Sequence, residues 1–145
     1  MNDKTIFKNG DIIFFKPTTL FEKLISYFSG FKYCHVGVIQ IIDNIVYILE
    51  STAPKGVRRA NYKLEYSHRE FAIISPKKLD FDYQLNKFVE LPNQTYGFLD
   101  IIIMYFKLNK YLNGNGLVCS EFVSILNKIE PSNITIKELW YILNN

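Results

Sequence analysis

Cys119, His35 and Glu50 are the side chains of this 145-residue chain whose types and placement could carry acyl chemistry. Cys119 lies in Gly114-Asn115-Gly116-Leu117-Val118-Cys119-Ser120-Glu121-Phe122-Val123, where a polar, glycine-broken stretch passes into an amphipathic helix. The first turn of a helix presents unpaired N–H groups and the positive end of the dipole, an environment that favours a thiolate. A thiol placed there is a nucleophile when a histidine takes its proton, and otherwise a small core residue.

The partner histidine follows from a hairpin. Val36-Gly37-Val38-Ile39-Gln40-Ile41-Ile42 and Ile45-Val46-Tyr47-Ile48-Leu49 flank Asp43-Asn44, a tight-turn pair between two β-rich runs. A turn centred between Asp43 and Asn44 pairs residues whose numbers sum to 87, so His35 faces Thr52 and Gly37 faces Glu50. Side chains alternate with period two, which puts 35, 37, 50 and 52 on one face and makes Glu50 a diagonal neighbour of His35. A carboxylate beside an imidazole fixes its tautomer and stabilises the imidazolium. Gly37 between them carries no side chain to block the approach.

Each of these residues alone has a structural explanation: a core thiol, a core histidine with one hydrogen bond, a solvated carboxylate at a strand end. Their occurrence together in a small domain points to chemistry. Cys34 is adjacent to His35, so on a strand it faces the other way and reads as a core residue, without a Cys34–Cys119 disulfide. His68, in Tyr66-Ser67-His68-Arg69-Glu70, falls in a polar loop.

The elements that must position these groups are mixed. Ile12-Ile13-Phe14-Phe15 reads as a strand after Gly10-Asp11. Thr18 or Thr19 caps a helix to about Phe28, with Leu20, Phe21, Leu24, Ile25 and Phe28 at helical spacing, closed by Ser29-Gly30. The hairpin is apolar on both faces and belongs in the middle of the protein. Val57 and Glu70–Ser75 read as further strand, and Asp80–Leu91 as a helix. Residues 98–108 fit a buried helix or a strand equally well. The Cys119 helix carries Val118, Phe122, Leu126 and Ile129 on one side and is expected to stop at Pro131, and Thr135 to Trp140 reads as a short capped helix. The order predicts an α+β fold with a central antiparallel sheet.

Composition narrows the function classes. Apolar residues at 48% and aromatics at 16% predict a folded core, and the length predicts one domain, residues 1–145. A net charge of +3, without clustering, gives no nucleic-acid footprint. The basic doublets Arg58-Arg59 and Lys77-Lys78 read as solvated loop charges. Two cysteines and two distant histidines fall short of a zinc site, so neither metal nor cofactor is expected. Met1-Asn2-Asp3-Lys4-Thr5 leads into no apolar stretch, and Phe98–Phe106 is far short of a membrane span, which fits a cytoplasmic or virus-encoded protein.

Gly10-Asp11-Ile12-Ile13-Phe14-Phe15, Tyr33-Cys34-His35-Val36-Gly37-Val38, Glu50-Ser51-Thr52-Ala53-Pro54-Lys55-Gly56-Val57 and Val118-Cys119-Ser120-Glu121-Phe122-Val123 follow one another in a familiar order. In these segments the chain resembles permuted NlpC/P60 proteins, the YiiX-like branch of the papain-like superfamily. Tyr96-Gly97-Phe98-Leu99-Asp100 and Thr135–Leu139 are similar to two further segments of that branch. There, as here, the histidine strand precedes the cysteine helix. The resemblance implies a circularly permuted papain-like fold, with Cys119 as nucleophile, His35 as general base and Glu50 as the residue orienting it. It implies a cysteine peptidase- or amidase-type hydrolase forming an acyl-enzyme on a peptide, a peptidoglycan fragment or an acyl-lipid. The backbone N–H of Cys119 is a natural oxyanion donor, with Tyr33 a candidate for the second. The alternatives are a lipid-directed thioesterase or acyltransferase, as in the retinol-acyltransferase-like relatives, and a non-catalytic binding module that keeps the shape.

Overall fold

The computed structural model describes residues 6–52, 55–91, 118–130 and 134–145. Five strands form one antiparallel sheet: β1 (Ile12–Phe15), β2 (His35–Ile42), β3 (Ile45–Thr52), β4 (Gly56–Asn61) and β5 (Phe71–Ile74), in the spatial order β4-β3-β2-β1-β5. Helices are α1 (Leu20–Ser29), α2 (Tyr62–Glu65), α3 (Phe81–Glu90), α4 (Cys119–Leu126) and α5 (Ile136–Asn144). The architecture is the expected α+β, a central antiparallel sheet with packed helices. The segments 98–108 and Tyr96–Asp100 lie outside the described residues.

The β2–β3 hairpin has the expected register, Val38 opposite Leu49 through to Ile42 opposite Ile45. Asp43 and Asn44 take φ of 48° and 62°, the left-handed pair that matches the twist of a two-residue hairpin. Beyond the last ladder pair the strands stay close. A Cβ built on Gly37 would stand 3.6 Å from the Cβ of Glu50 and only 2.9 Å from the Leu49 carbonyl oxygen. Glycine is required at 37 because the β3 backbone occupies the space a side chain would take.

The alternating strands bury two apolar layers. Ile12, Phe14, Val36, Val38 and Leu49 pack with Phe122, Val123 and Leu126 of α4 and Leu139 of α5. On the opposite face Ile13, Phe15, Ile39 and Ile48 pack with Ala60, Tyr62 and Tyr66. Shielding a side chain the size of Phe122 or Leu126 contributes about 1.5–3 kcal/mol, enough to hold so short a helix on the sheet.

Helix ends follow local chemistry. Thr19 and Glu22 form a reciprocal capping box on α1, and Thr135 and Glu138 form one on α5; Asp80 caps α3 by accepting from the Tyr83 N–H at 3.0 Å. Gly30 closes α1 at φ 59°. Two boundaries differ from expectation. Helix α4 stops at Leu126, well before Pro131, because Lys128 turns left-handed at φ 56° and the N–H of Ile129 returns to the Ser124 carbonyl. Helix α5 runs past Trp140 to Asn144.

Candidate functional site

His35 is the first residue of β2 and Glu50 lies in β3, so the hairpin register decides whether they meet. They do: His35 Nε2 lies 2.6 Å from Glu50 Oε2, and Glu50 is shut off from solvent completely. Tyr66, just after α2, donates its hydroxyl to the same carboxylate oxygen at 2.6 Å. Arg58 of β4, directly opposite Glu50 in the β3–β4 register, brings Nη2 to 2.7 Å from Oε1. The guanidinium directs its hydrogen bonds into a two-pronged grip on Glu65, at 3.0 and 2.6 Å, so Glu50 receives its charge as an ion pair.

These contacts settle the electrostatics. Burial opposes charge on His35, but the Glu50 charge, side-chain hydrogen bonding to Cys119 and the hydrogen bond to Glu50 outweigh it, and its pKa is pushed up to about 10. Burial also opposes charge on Glu50, yet the His35 charge and hydrogen bond, Tyr66 and Arg58 hold its carboxyl below the usual carboxylate range. Burial and the neighbouring carboxylate push the Tyr66 hydroxyl up, so it stays a donor. The ring of His35 lies nearly parallel to Tyr66 and Phe15, with interplanar angles of 13° and 20°. That aromatic wall restricts the imidazole to the orientation the carboxylate selects.

Cys119 is the first helical residue of α4 and is buried in the apolar cluster that also holds Val123 and Tyr33. Val118, at the N-cap, has no side-chain oxygen to offer the helix; its own N–H reaches the Glu121 carboxylate at 3.4 Å. The N–H of Cys119 therefore belongs to a helix start with no side-chain acceptor from its cap residue. The structure places His35 against Glu50, and the Cys119 side chain is among the groups that raise the imidazole. Tyr33 sits in an aromatic cluster with Phe14, Phe31 and Trp140.

Arg58 corrects the reading of Arg58-Arg59 as solvated loop charges: it is a strand residue whose head group lies on the buried carboxylate. Extending the hairpin argument across Pro54-Lys55-Gly56 would have set Glu50 opposite Arg58. Tyr66 follows a helix of only four residues, which leaves no periodic trace in the sequence. Cys34 is buried, as expected of a core residue, with its thiol 3.7 Å from the Phe15 carbonyl oxygen and an Arg69 N–H donor 3.5 Å away. Burial and Glu22 push the Cys34 thiol up to about 12. His68 is exposed. Among the described residues, no group of three or more His, Cys, Asp or Glu side chains is arranged to hold a metal ion. No described helix is long and apolar enough to cross a membrane.

The fold is YiiX-like. The chain superposes on the crystal structure of the metalloprotein YiiX from Escherichia coli O157:H7 with a TM-score of 0.62 at 19% sequence identity, over 83% of this chain. The match spans 64% of the YiiX chain. No family model matches the sequence, and no curated protein matches it. The likeness is one of architecture, a mixed fold with an antiparallel five-stranded sheet and packed helices.

Proposed function

We propose that this chain is a cysteine hydrolase of the permuted NlpC/P60 type, cleaving an amide or ester through an acyl-enzyme on Cys119. The observation that carries the reading is the 2.6 Å contact committing His35 Nε2 to a buried carboxylate. An ionised Glu50 only accepts, so Nε2 keeps its hydrogen throughout and Nδ1 is the nitrogen that gains and loses a proton. Transfer of the thiol proton to His35 Nδ1, favoured by the raised basicity of the ring, leaves an imidazolium beside the sulfur, which then bonds to the substrate carbonyl carbon. The oxyanion is met by the Cys119 N–H at the helix start. Collapse breaks the bond to the leaving amine or alcohol, which takes the proton from His35. Water, deprotonated by the same nitrogen, then adds to the thioester, releasing the carboxylic acid and restoring the thiol. Peptides, peptidoglycan fragments and acyl-lipids all present the required carbonyl.

YiiX is a metalloprotein, and a metal held by His35, Glu50 and Cys119 is the competing reading. The donor set does not fit. Nε2 and Oε2 are spent on each other, Tyr66 occupies the same oxygen, and the Arg58 cation stands 2.7 Å from the other one, where it repels a second cation.

The test is intact-protein mass after exposure to an activated ester. The native chain and Cys34→Ser should gain one acyl group, and Cys119→Ser should gain none. Undiminished labelling of Cys119→Ser overturns the assignment.

A further inference from the structure

Helix α1 is amphipathic in the wrong sense for a helix packed on a core. None of its residues is buried, and its apolar side faces outward at Leu20, which is 76% exposed, Tyr27 at 79% and Leu24 at 47%. The polar side faces the body. Glu22 pairs with Arg69 at 3.0 Å, and Ser26 donates to the Phe31 carbonyl at 2.5 Å. The helix is nonetheless fixed in place, with a capping box at its start and a left-handed glycine at its end. A frayed segment would leave apolar residues outward by chance; a capped, ion-paired helix holds them there.

Charge accompanies the apolar arc. Lys23 and Lys32 are exposed and line an open groove of about 450 Å³ with Ser26, Tyr27 and Phe31. Lys32 stands over the Tyr33 ring at 5.1 Å, and Lys23 projects on the flank of α1 next to Tyr27. Apolar side chains beside a two-lysine groove match the layering of a membrane surface, with acyl chains for the helix and phosphate head groups for the lysines.

We propose that α1 is an interfacial docking element: Leu20, Leu24 and Tyr27 enter the acyl boundary of an anionic phospholipid surface while Lys23 and Lys32 hold head-group phosphates. The surface is linked to the histidine site through Arg69. One nitrogen of that guanidinium pairs with Glu22, and the group lies 5.4 Å and 5.7 Å from the centres of the Phe15 and Tyr66 rings that flank His35. Docking by α1 therefore sets the His35 side of the molecule near the lipid, whatever chemistry Cys119 performs.

The experiment is flotation of the full chain with vesicles of phosphatidylcholine alone and of phosphatidylcholine with phosphatidylserine, at low and high salt. The native chain should float with the anionic vesicles and be released by salt. Leu20→Glu/Tyr27→Glu and Lys23→Glu/Lys32→Glu should each weaken partitioning by more than about tenfold. These side chains are solvent-exposed, so melting midpoints should stay near that of the native chain. Cys119→Ser should float as the native chain does, which separates docking from catalysis. Failure of the native chain to float overturns the proposal, as does flotation unchanged in the α1 variants. Loss of a dimer in the Leu20→Glu/Tyr27→Glu variant, without vesicle binding by the native chain, assigns the face to a second copy instead. A large fall in its melting midpoint assigns the face to packing within the chain. Both results overturn the membrane assignment.

Discussion

His35 Nε2 and Glu50 Oε2 are 2.6 Å apart in a part of the sheet from which the carboxylate is wholly excluded from water. A carboxylate so placed fixes Nε2 as the nitrogen that keeps its hydrogen and makes the ring a stronger base than free histidine. Glu50→Gln keeps the shape and removes the charge. The His35 imidazole, followed by NMR through its ring protons, should then titrate below about 10, since the Glu50 charge and hydrogen bond are, with Cys119, what raise it. Acylation of Cys119 should slow by roughly 10²–10⁴-fold, the scale seen when a base loses its orienting carboxylate. An unchanged titration in Glu50→Gln would show that the contact does not govern the ring.

Stability should carry the same signature. His35 is raised above its ordinary value of 6.5 to about 10, so its contribution is complete below pH 6.5 and is lost as pH climbs through 10. Glu50 is lowered below 4.5, so its contribution is present above that value and is lost on acidification. Urea midpoints of the native chain should therefore fall between about pH 6.5 and 9, while those of His35→Gln stay nearly level over that range. Parallel curves for the two proteins would contradict the assigned shift.

Tyr66 supplies the second donor to the Glu50 oxygen, at 2.6 Å. Tyr66→Phe removes that donor and keeps the ring, which packs 4.5 Å from Phe15. The lost bond to a charged group should cost about 1.5–3 kcal/mol in urea unfolding. Freed of its competing donor, Glu50 should also interact more strongly with His35, so the imidazole should titrate higher than in the native chain. A stability loss with no change in the His35 titration would make Tyr66 a packing residue alone.

The parts of this site that could be read in the sequence are those fixed by local periodicity. Period-two alternation around Asp43-Asn44 sets the register, and the register sets His35 beside Glu50. The helix start at Cys119 follows from a glycine-broken polar run meeting an apolar face. Arg58 was not legible as a site residue because its role depends on a second pairing, β3 with β4. Tyr66 depends on a four-residue helix too short to show a period. The outward face of α1 was hidden for another reason. Leu20, Leu24 and Phe28 have the spacing of a core-facing stripe, and the Glu22–Arg69 pair, between residues far apart in the chain, turns the polar side inward.

Gly37 shows how closely the hairpin is built around these residues. A methyl group there would meet the Ile48 Cγ2 at 2.4 Å and the Leu49 carbonyl oxygen at 2.9 Å, and the second of these is backbone that cannot rotate away. Gly37→Ala should force β2 and β3 apart next to the His35–Glu50 pair, at a cost of about 1–3 kcal/mol in urea unfolding. Because the shift is local to β2 and β3, the histidine contact should loosen before the far side of the sheet does. The His35 titration should therefore move toward its ordinary value of 6.5 even in protein that remains folded. Gly30→Ala is the contrasting control: that glycine sits in a left-handed turn, at φ 59°, whereas Gly37 lies in a strand, and it has no atom within 4 Å of a built Cβ. It should cost stability through backbone strain alone, about 1 kcal/mol, and leave the His35 titration where it is. Equal shifts in the two variants would refute a specific role for the Gly37 approach.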